Sequence, residues 1–157
     1  MRLADIVCFE AVVPQLKASD RDGAIMELVS ALANVGRIAT GKEKAIAKAV
    51  IKRENEASTG IGKGVAVPHV KHAAIKDIVA TVGCSSGGID FSSLDKKPVY
   101  SVVLLLSPGN NPDKHLEAME SIFRNLQKDD FRSFLRQAET AEQIKDAILD
   151  TDSNAIE

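Results

Sequence analysis

The most apolar stretch of the chain, Val99 to Leu106, constrains the fold more than any other segment. A strand that is buried on both faces is a continuous aliphatic run, whereas a strand with one solvent-facing side alternates between apolar and polar residues. The stretch therefore predicts the central strand of a sheet that is covered on both sides. The longest aliphatic run within it, Val102 to Leu106, is far shorter than the roughly 20 residues that a transmembrane helix needs, so we expect no membrane span.

Amphipathic helices are predicted on either side of this strand. Residues 20–35 place apolar side chains at helical spacing, and a second helix is predicted from Lys42 to about Arg53. Three further helices follow the breaker cluster at residues 107–112, and the last of them begins after Thr140. The chain thus carries helices both before and after its main strands.

Two more strands and two turns complete the pattern. Val65 to Val67 predicts a buried strand that ends at Pro68-His69, and Ile78 to Cys84 predicts another. Turns are expected at Gly87-Gly88 and at Asp95 to Pro98. The alternation predicts an α/β single-domain sandwich, with a mixed, mainly central β-sheet and helices on both faces. We expect residues 1–150 to form this domain and residues 151–157 to form a frayed polar tail.

The composition excludes several function classes. The formal net charge is -2, there is no Trp and there is one Tyr, so the sequence offers neither a basic stripe nor stacking platforms for nucleic acid. Cys8 and Cys84 form no C-x-x-C pattern, which favours a reducing compartment over a disulfide or metal framework. Since the N-terminus also lacks the pattern of a signal peptide, we expect a cytoplasmic protein.

His69 is the foremost candidate for chemistry. It directly follows Pro68, which lacks an N–H group and ends regular strand pairing, so the imidazole is expected at a rim of the sheet. An imidazole has an unperturbed pKa of about 6.5, and its neutral form is a nucleophile near pH 7. Position alone indicates equally well an ordinary histidine that is partly buried or exposed.

A glycine-rich segment precedes His69. Its Gly60, Gly62 and Gly64 form G-x-G-x-G, which matches neither the dinucleotide fingerprint nor a P-loop. Glycine amides can nevertheless approach an anion closely, and Ser58 and Thr59 add hydroxyl groups. Taken alone, the triplet favours an ordinary turn between a helix and a strand.

Two further residues could support chemistry at His69. Arg53 ends the second predicted helix, and its guanidinium could bind phosphate oxygens, although a solvated arginine that answers the helix dipole explains it more simply. His115 begins the helix after the breaker cluster, where a neutral, hydrogen-bonding imidazole or a plain surface histidine are equally consistent with the sequence. His72, three residues after His69, is interpreted as a surface residue.

Together these residues resemble the phosphorylation-site signature of the fructose/mannitol class of enzyme IIA in the bacterial phosphotransferase system. The matching run is Arg53-Glu54-x-x-x-Ser58-Thr59-Gly60-Ile61-Gly62-x-Gly64-Val65-Ala66-Val67-Pro68-His69. Weaker similarities follow at Gly88-Ile89-Asp90, at Asp95-x-x-Pro98-Val99 and at His115-Leu116. The order of elements matches over nearly the whole chain, so the resemblance implies the enzyme IIA fold.

The resemblance also implies a function and a site. His69 would be the phosphorylated residue, with Arg53 and His115 beside it, and Ser58 and Thr59 would shape or bind at the same pocket. The implied donor is the phosphohistidine carrier HPr. The implied acceptor is a cysteine of a IIB domain, or a regulatory target in members of the nitrogen-regulatory type, whose phosphorylation state is read by other proteins. No metal or organic cofactor is implied.

Two departures and two rival functions accompany this interpretation. Val70 stands where the family often has a small residue, and Asp95-Lys96-Lys97 stands where it often has Asp-Gly. One rival is a metal-binding protein that uses His69, His72 and His115, a use that leaves the glycine segment and Arg53 without a role. The other is a Ser-His hydrolase built on Ser58 and His69, which lacks the G-x-S-x-G elbow.

Overall fold

The computed structural model describes residues 1–154 and contains five α-helices, five strands and two short 3₁₀ turns. The helices are α1 (Arg21–Asn34), α2 (Glu43–Glu56), α3 (Pro112–Leu126), α4 (Asp129–Gln137) and α5 (Ala141–Ser153). The strands are β1 (Gly60–Gly62), β2 (Val65–Ala66), β3 (His69–His72), β4 (Val79–Ile89) and β5 (Val99–Pro108). The 3₁₀ turns are Leu3–Asp5 and Phe9–Ala11.

The aliphatic run is the central strand, as predicted. On one side β5 pairs in parallel with both β2 and β3, and on the other side it pairs antiparallel with β4. β1 lies outside β2 and pairs antiparallel with it. The N-terminal segment covers the far edge of β4 through bridges at Val7 and Val13. The sheet is therefore mixed, and its centre is the most apolar segment of the chain.

Successive side chains of β5 enter two separate cores. Val103 and Leu105 pack with buried residues of α3, α4 and α5, whereas Val102, Leu104 and Leu106 pack with those of α1 and α2. This is the period-two alternation of a strand, with both faces apolar because helices cover both. The predicted sandwich with helices on both faces is confirmed.

The second helix extends beyond its predicted end. α2 continues to Glu56, so Arg53 lies in its last turn, and a β/extended residue, Ala57, ends the helix. The tight connection to β1 that follows begins at Ser58. This geometry brings the C-terminal end of α2 close to the strands that carry His69.

The strand through His69 was placed incorrectly by the sequence. One extended segment runs alongside β5, and a break at Pro68 divides it into β2 and β3. His69 therefore begins a strand and does not end one. Pro68 cannot donate a hydrogen bond, but its carbonyl still accepts one from the backbone N of Leu105 at 3.0 Å. The segment therefore stays attached to β5 across the break.

The predicted turn at Gly87-Gly88 is also wrong. β4 runs through both glycines to Ile89, and its register with β5 shifts between Cys84 and Ile89. Gly88 has φ +82°, and a Cβ atom there would lie 2.7 Å from the Cβ of Pro98. Glycine at this position thus permits a bulge within a continuous strand.

The tail prediction fails for the described part of the segment. α5 continues to Ser153, and the side chains of Thr151 and Asp152 are buried. The Asp152 carboxylate accepts hydrogen bonds from the backbone N atoms of Leu3 (2.7 Å) and Ala4 (2.9 Å), so it fixes the first 3₁₀ turn. Residues 155–157 of the predicted tail lie outside the described residues.

No helix within residues 1–154 combines the length and the apolar character that crossing a bilayer requires.

Candidate functional site

The register of β3 decides where the His69 side chain points. His69 lies opposite Leu105, and Lys71 lies opposite Ser107. Paired residues of a sheet share a face, so His69, Lys71 and Ser107 lie on the face that α3 covers. His115 lies in the first turn of α3, and the centroids of the His69 and His115 rings are 5.6 Å apart at an interplanar angle of 44°. The structure therefore brings the two predicted histidines together.

A backbone carbonyl fixes the tautomer of His69. The ring Nδ1 lies 2.7 Å from the carbonyl oxygen of Val67. Because a carbonyl oxygen can only accept, Nδ1 carries the proton and donates, and the Nε2 of the neutral ring keeps its lone pair. Within residues 1–154 the ring makes no second hydrogen bond. The half-buried imidazole thus keeps Nε2 as its lone-pair nitrogen.

The second histidine is held from the central strand. The Nδ1 of His115 lies 2.6 Å from the hydroxyl oxygen of Ser107, which is buried in β5. Burial lowers the pKa of His115 to about 4, and the charges of His69 and Lys71 contribute. His115 is therefore neutral at physiological pH.

His69 itself is also neutral near pH 7. Burial is the largest cause that lowers its pKa below the usual 6.5, and the positive charges of Arg53 and Lys71 lower it further. The hydrogen bond to Val67 and the negative charge of Glu54 act in the opposite direction. The net result keeps the Nε2 lone pair available.

Arg53 approaches the site from the last turn of α2. One terminal guanidinium nitrogen donates to the carbonyl of Ala57 at 3.1 Å, and the side chain is half-buried. This is the guanidinium's one hydrogen bond within the described part of the chain, so most of its five N–H donors are free. A bidentate donor fork of this kind suits a phosphate group.

The two predicted hydroxyl residues are already bonded within the protein. The Ser58 hydroxyl donates to the carbonyl of Phe91 and accepts from the backbone N of Gly60. The buried Thr59 hydroxyl donates to a carboxylate oxygen of Glu54 at 2.8 Å and accepts from the backbone N of Val67 at 3.2 Å. Both side chains therefore shape the loop beside His69.

The glycine triplet forms a hairpin. Gly60 and Gly62 lie in β1, and Gly64 lies in the turn into β2, with its carbonyl accepting from the backbone N atoms of Tyr100 and Ser101. The register advances four residues along β5 between the partner of Val65 and the partner of His69, which corresponds to about 13 Å. The structure therefore does not bring Gly62 and Gly64 to the imidazole.

His72 is not the surface residue that the sequence indicated. It lies in β3, is half-buried, and its Nδ1 accepts from the backbone N of Ala74 at 3.0 Å. It lies three positions after His69 in the strand, so the two side chains point to opposite faces of the sheet. Among residues 1–154, no three His, Cys, Asp or Glu side chains are grouped to hold a metal ion.

The sequence did not reveal where the Glu54 and Lys71 side chains lie. Glu54 belongs to the matching run, but nothing in the sequence shows that its carboxylate is buried and bonded to Thr59. Lys71 follows His69 by two residues, which places it on the same face once His69 is known to lie in a strand. The error in the strand boundary therefore hid Lys71. Val70, the departure from the family pattern, points instead to the core beneath α1 and α2.

Comparison with known proteins identifies the family. Residues 7–151 match the family model described as "Phosphoenolpyruvate-dependent sugar phosphotransferase system, EIIA 2". With nearly the whole chain matched, the protein belongs to this family.

Relatives of two kinds are similar to this chain in sequence. A nitrogen regulatory protein of Bradyrhizobium diazoefficiens is 34% identical over 92% of this chain and 92% of its own length. The fructose-specific EIIABC component of Bacillus subtilis is 28% identical over 94% of this chain, which spans only 23% of that protein. The resemblance to the fructose/mannitol and nitrogen-regulatory enzymes IIA is confirmed.

Solved structures share the fold. The nitrogen regulatory protein IIA-Ntr of Neisseria meningitidis superposes with a TM-score of 0.82 at 24% identity, covering 92% of this chain and 97% of its own. The mannitol enzyme IIA of Escherichia coli, solved in complex with phosphorylated enzyme IIB, gives a TM-score of 0.74 at 16% identity, covering 90% of this chain and 95% of its own. The predicted enzyme IIA fold is thus confirmed.

Proposed function

We propose that this protein is a phosphocarrier that takes a phosphoryl group on Nε2 of His69. The observation that carries the proposal is the hydrogen bond from Nδ1 to the Val67 carbonyl, since it leaves Nε2 as the ring's lone-pair nitrogen. The ring is neutral near pH 7 and faces a second neutral imidazole. A nucleophile with these properties is suited to attack on phosphorus.

The proposed transfer needs no proton to move at His69. The Nε2 lone pair forms a bond to phosphorus as the bond between phosphorus and the donor nitrogen breaks, and the departing imidazole keeps that electron pair. The Nδ1 proton stays in place, so the phosphorylated ring carries a positive charge. The Val67 carbonyl, which already accepts from Nδ1, stabilises that charge.

Side chains from α2, α3 and β3 would stabilise the negative charge of the transferred phosphoryl group. Phosphoryl transfer depends mainly on positioning and on stabilising the equatorial oxygens. Arg53 has free N–H donors for these oxygens. When the Ser107 hydroxyl donates to Nδ1 of His115, that ring carries its proton on Nε2 and becomes a further donor. Lys71, on the same face of β3, adds a second cation.

The proposed donor is an HPr-like phosphocarrier, and the proposed acceptor is a cysteine of a IIB domain or a regulatory target protein. The complex of the mannitol enzyme IIA with phosphorylated enzyme IIB supports an acceptor of the IIB type. Leu116, directly after His115, is 59% exposed and supports an apolar docking surface at the site. We place the reaction in the cytoplasm, a reducing compartment that suits two free cysteines.

The test is reconstitution with the donor chain. The protein is incubated with phosphoenolpyruvate, enzyme I and HPr, and an acid-labile phosphate is mapped by mass spectrometry under neutral conditions. We expect the label on His69, its loss in His69→Ala and its retention in His72→Ala, the matched control from the opposite face of β3. Normal labelling of His69→Ala would refute the assignment.

A regulatory role is the second candidate. The 34% identity to a nitrogen regulatory protein favours a carrier whose phosphorylation state other proteins read. A phosphate adds about -1.5 to -2 charges next to the exposed Leu116, so partner choice should change with phosphorylation. Pull-downs with phosphorylated protein and with His69→Ala test this role. Identical binding partners would argue for transfer alone.

A further inference from the structure

Glu54 is a buried carboxylate that the proposed transfer does not use. Its side chain, on α2, is 2% exposed. A buried carboxylate is costly unless donors satisfy it. Thr59 supplies two donors, since its backbone N lies 2.6 Å from Oε2 and its hydroxyl lies 2.8 Å from Oε1. The carboxylate thus holds both the backbone and the side chain of Thr59.

The Thr59 hydroxyl supplies a hydrogen-bond acceptor at a point where β1 has not yet begun. β1 begins at Gly60, opposite Ala66, so its backbone offers no partner for the next N–H along the segment, that of Val67. Thr59 Oγ1 accepts from that N–H at 3.2 Å. A hydroxyl has one proton, and the Glu54 carboxylate can only accept, so that proton points to Glu54 and a lone pair faces Val67.

Val67 connects this arrangement to His69. Its amide is bonded to Thr59, and its carbonyl accepts from Nδ1 of His69 at 2.7 Å. Pro68 follows Val67 and has no N–H. The hydrogen bond from Val67 N to the Thr59 hydroxyl therefore holds the backbone directly before the Pro68-His69 step. Three hydrogen bonds therefore connect the Glu54 carboxylate to the ring: Glu54 to Thr59, Thr59 to Val67, and Val67 to His69.

We propose that Glu54 is a positioning residue for phosphoryl transfer, which acts through Thr59 and Val67 to hold His69 in the Nδ1–H tautomer. The inference rests on the proposed function of His69. Within residues 1–154 the hydrogen bonds of the Glu54 carboxylate come from Thr59, and none comes from the imidazole. Loss of its carboxylate frees the Thr59 hydroxyl to rotate and loosens the Val67 carbonyl, so the ring spends more time with its proton on Nε2, where it cannot attack.

Four variants test the proposal. Glu54→Gln keeps the shape but cannot accept from both donors of Thr59, and Thr59→Val keeps the shape but removes the hydroxyl. Thr59→Ser restores the hydroxyl, and Glu56→Gln removes the same charge at an exposed position two residues further along α2. We expect Glu54→Gln and Thr59→Val to slow phosphoryl uptake from phospho-HPr by about tenfold or more, since small misplacements of a reacting group have large kinetic effects. Thr59→Ser and Glu56→Gln should stay within about twofold of the wild type.

The decisive readout is the tautomer of His69, measured on the unphosphorylated protein by long-range ¹H–¹⁵N NMR. The wild type should show the Nδ1–H form, and Glu54→Gln and Thr59→Val should show an increased Nε2–H fraction that Thr59→Ser does not show. Unchanged tautomer and uptake in folded Thr59→Val would overturn the proposal. So would an Nε2–H tautomer in the wild type, a measurement that does not depend on any variant folding. If His69 never accepts phosphate, the proposed function fails, while the tautomer still reports on Glu54.

Discussion

The two ends of the segment 60–72, which contains β1, β2 and β3, differ in how their polar groups are bonded. At the hairpin end, residues 60–64, the backbone N of Lys63 donates to Asp95 and the carbonyl of Gly64 accepts from two residues of β5. At the His69 end, residues 67–72, Nε2 of His69 is unbonded within residues 1–154, and Arg53 uses one of its donors. Glycines occupy the first end and chemistry-bearing side chains the second.

This difference shows where a binding site can exist. A backbone N–H that is already paired within the protein cannot donate to a phosphate without breaking that bond, whereas the free guanidinium donors of Arg53 can. The glycine triplet, the most conspicuous feature of the loop, therefore builds the support for the site. Substitutions at the hairpin end should chiefly change stability, and substitutions at the His69 end should chiefly change transfer.

The largest expected effect is on stability at the hairpin end. A Cβ atom at Gly60 would lie 2.3 Å from Oγ and 3.0 Å from Cα of Ser93, so the backbone must move. We expect Gly60→Ala to lower the free energy of unfolding by about 2–3 kcal/mol in denaturant melts. Gly87→Ala is the control, because a Cβ atom there meets nothing within 4 Å. Equal stabilities of the two variants would break the comparison.

The second prediction concerns transfer at the His69 end. Arg53→Lys keeps the charge but loses the planar donor fork, so uptake from phospho-HPr should slow by about tenfold. The free energy of unfolding should change by less than about 0.5 kcal/mol, since the side chain makes one hydrogen bond. Arg37→Lys, at an exposed position, serves as the control. A variant that loses stability but transfers normally would assign Arg53 to the fold.

The third prediction is a pH dependence of stability. The pKa of His115 is lowered to about 4 in the folded protein, below the usual 6.5. As the pH falls, this imidazole is therefore protonated in the unfolded chain before it is protonated in the folded protein. Stability should therefore fall as the pH drops from about 6.5 towards 4, and His115→Gln should reduce that fall. The effect is smaller than the full shift implies, because solvent screens the half-buried ring. If the free energy of unfolding changed with pH equally in the variant and the wild type, the prediction would be contradicted.

The smallest effect is expected at Leu116. Because this side chain is largely exposed, Leu116→Ala should change the free energy of unfolding by less than about 0.5 kcal/mol. Uptake should become about threefold slower at low donor concentration, since a docking contact is lost. The rate at saturating donor should stay unchanged. A loss that persists at saturation would place Leu116 in the transfer step instead of in docking.

The sequence was sufficient for the parts of the molecule that depend on local pattern. The run from Val99 to Leu106 identified the central strand because burial on both faces leaves a continuous apolar signature. His69, Arg53 and His115 were candidates from their own positions before the family signature linked them, and the structure places the His69 and His115 rings 5.6 Å apart.

The missed features depend on contacts that no local pattern reveals. The strand continues past Pro68 because β5 supplies pairing partners on both sides of the break. Asp152 is buried because the N-terminal turn needs an acceptor, although the residues after Asp150 are polar. The Glu54 carboxylate is bonded to donors of Thr59, five residues later, across a loop whose course the sequence does not specify.

The central claim is that Nε2 of His69 is the nucleophile, and the attachment nitrogen tests it most directly. The protein is labelled with ¹⁵N, phosphorylated through HPr, and examined by ¹H–¹⁵N and ³¹P NMR at neutral pH. The account predicts Nε2-phosphohistidine at His69, with the Nδ1 proton still bonded to the Val67 carbonyl. Phosphate on Nδ1 would contradict it, because that nitrogen could react only after the bond to Val67 had been broken.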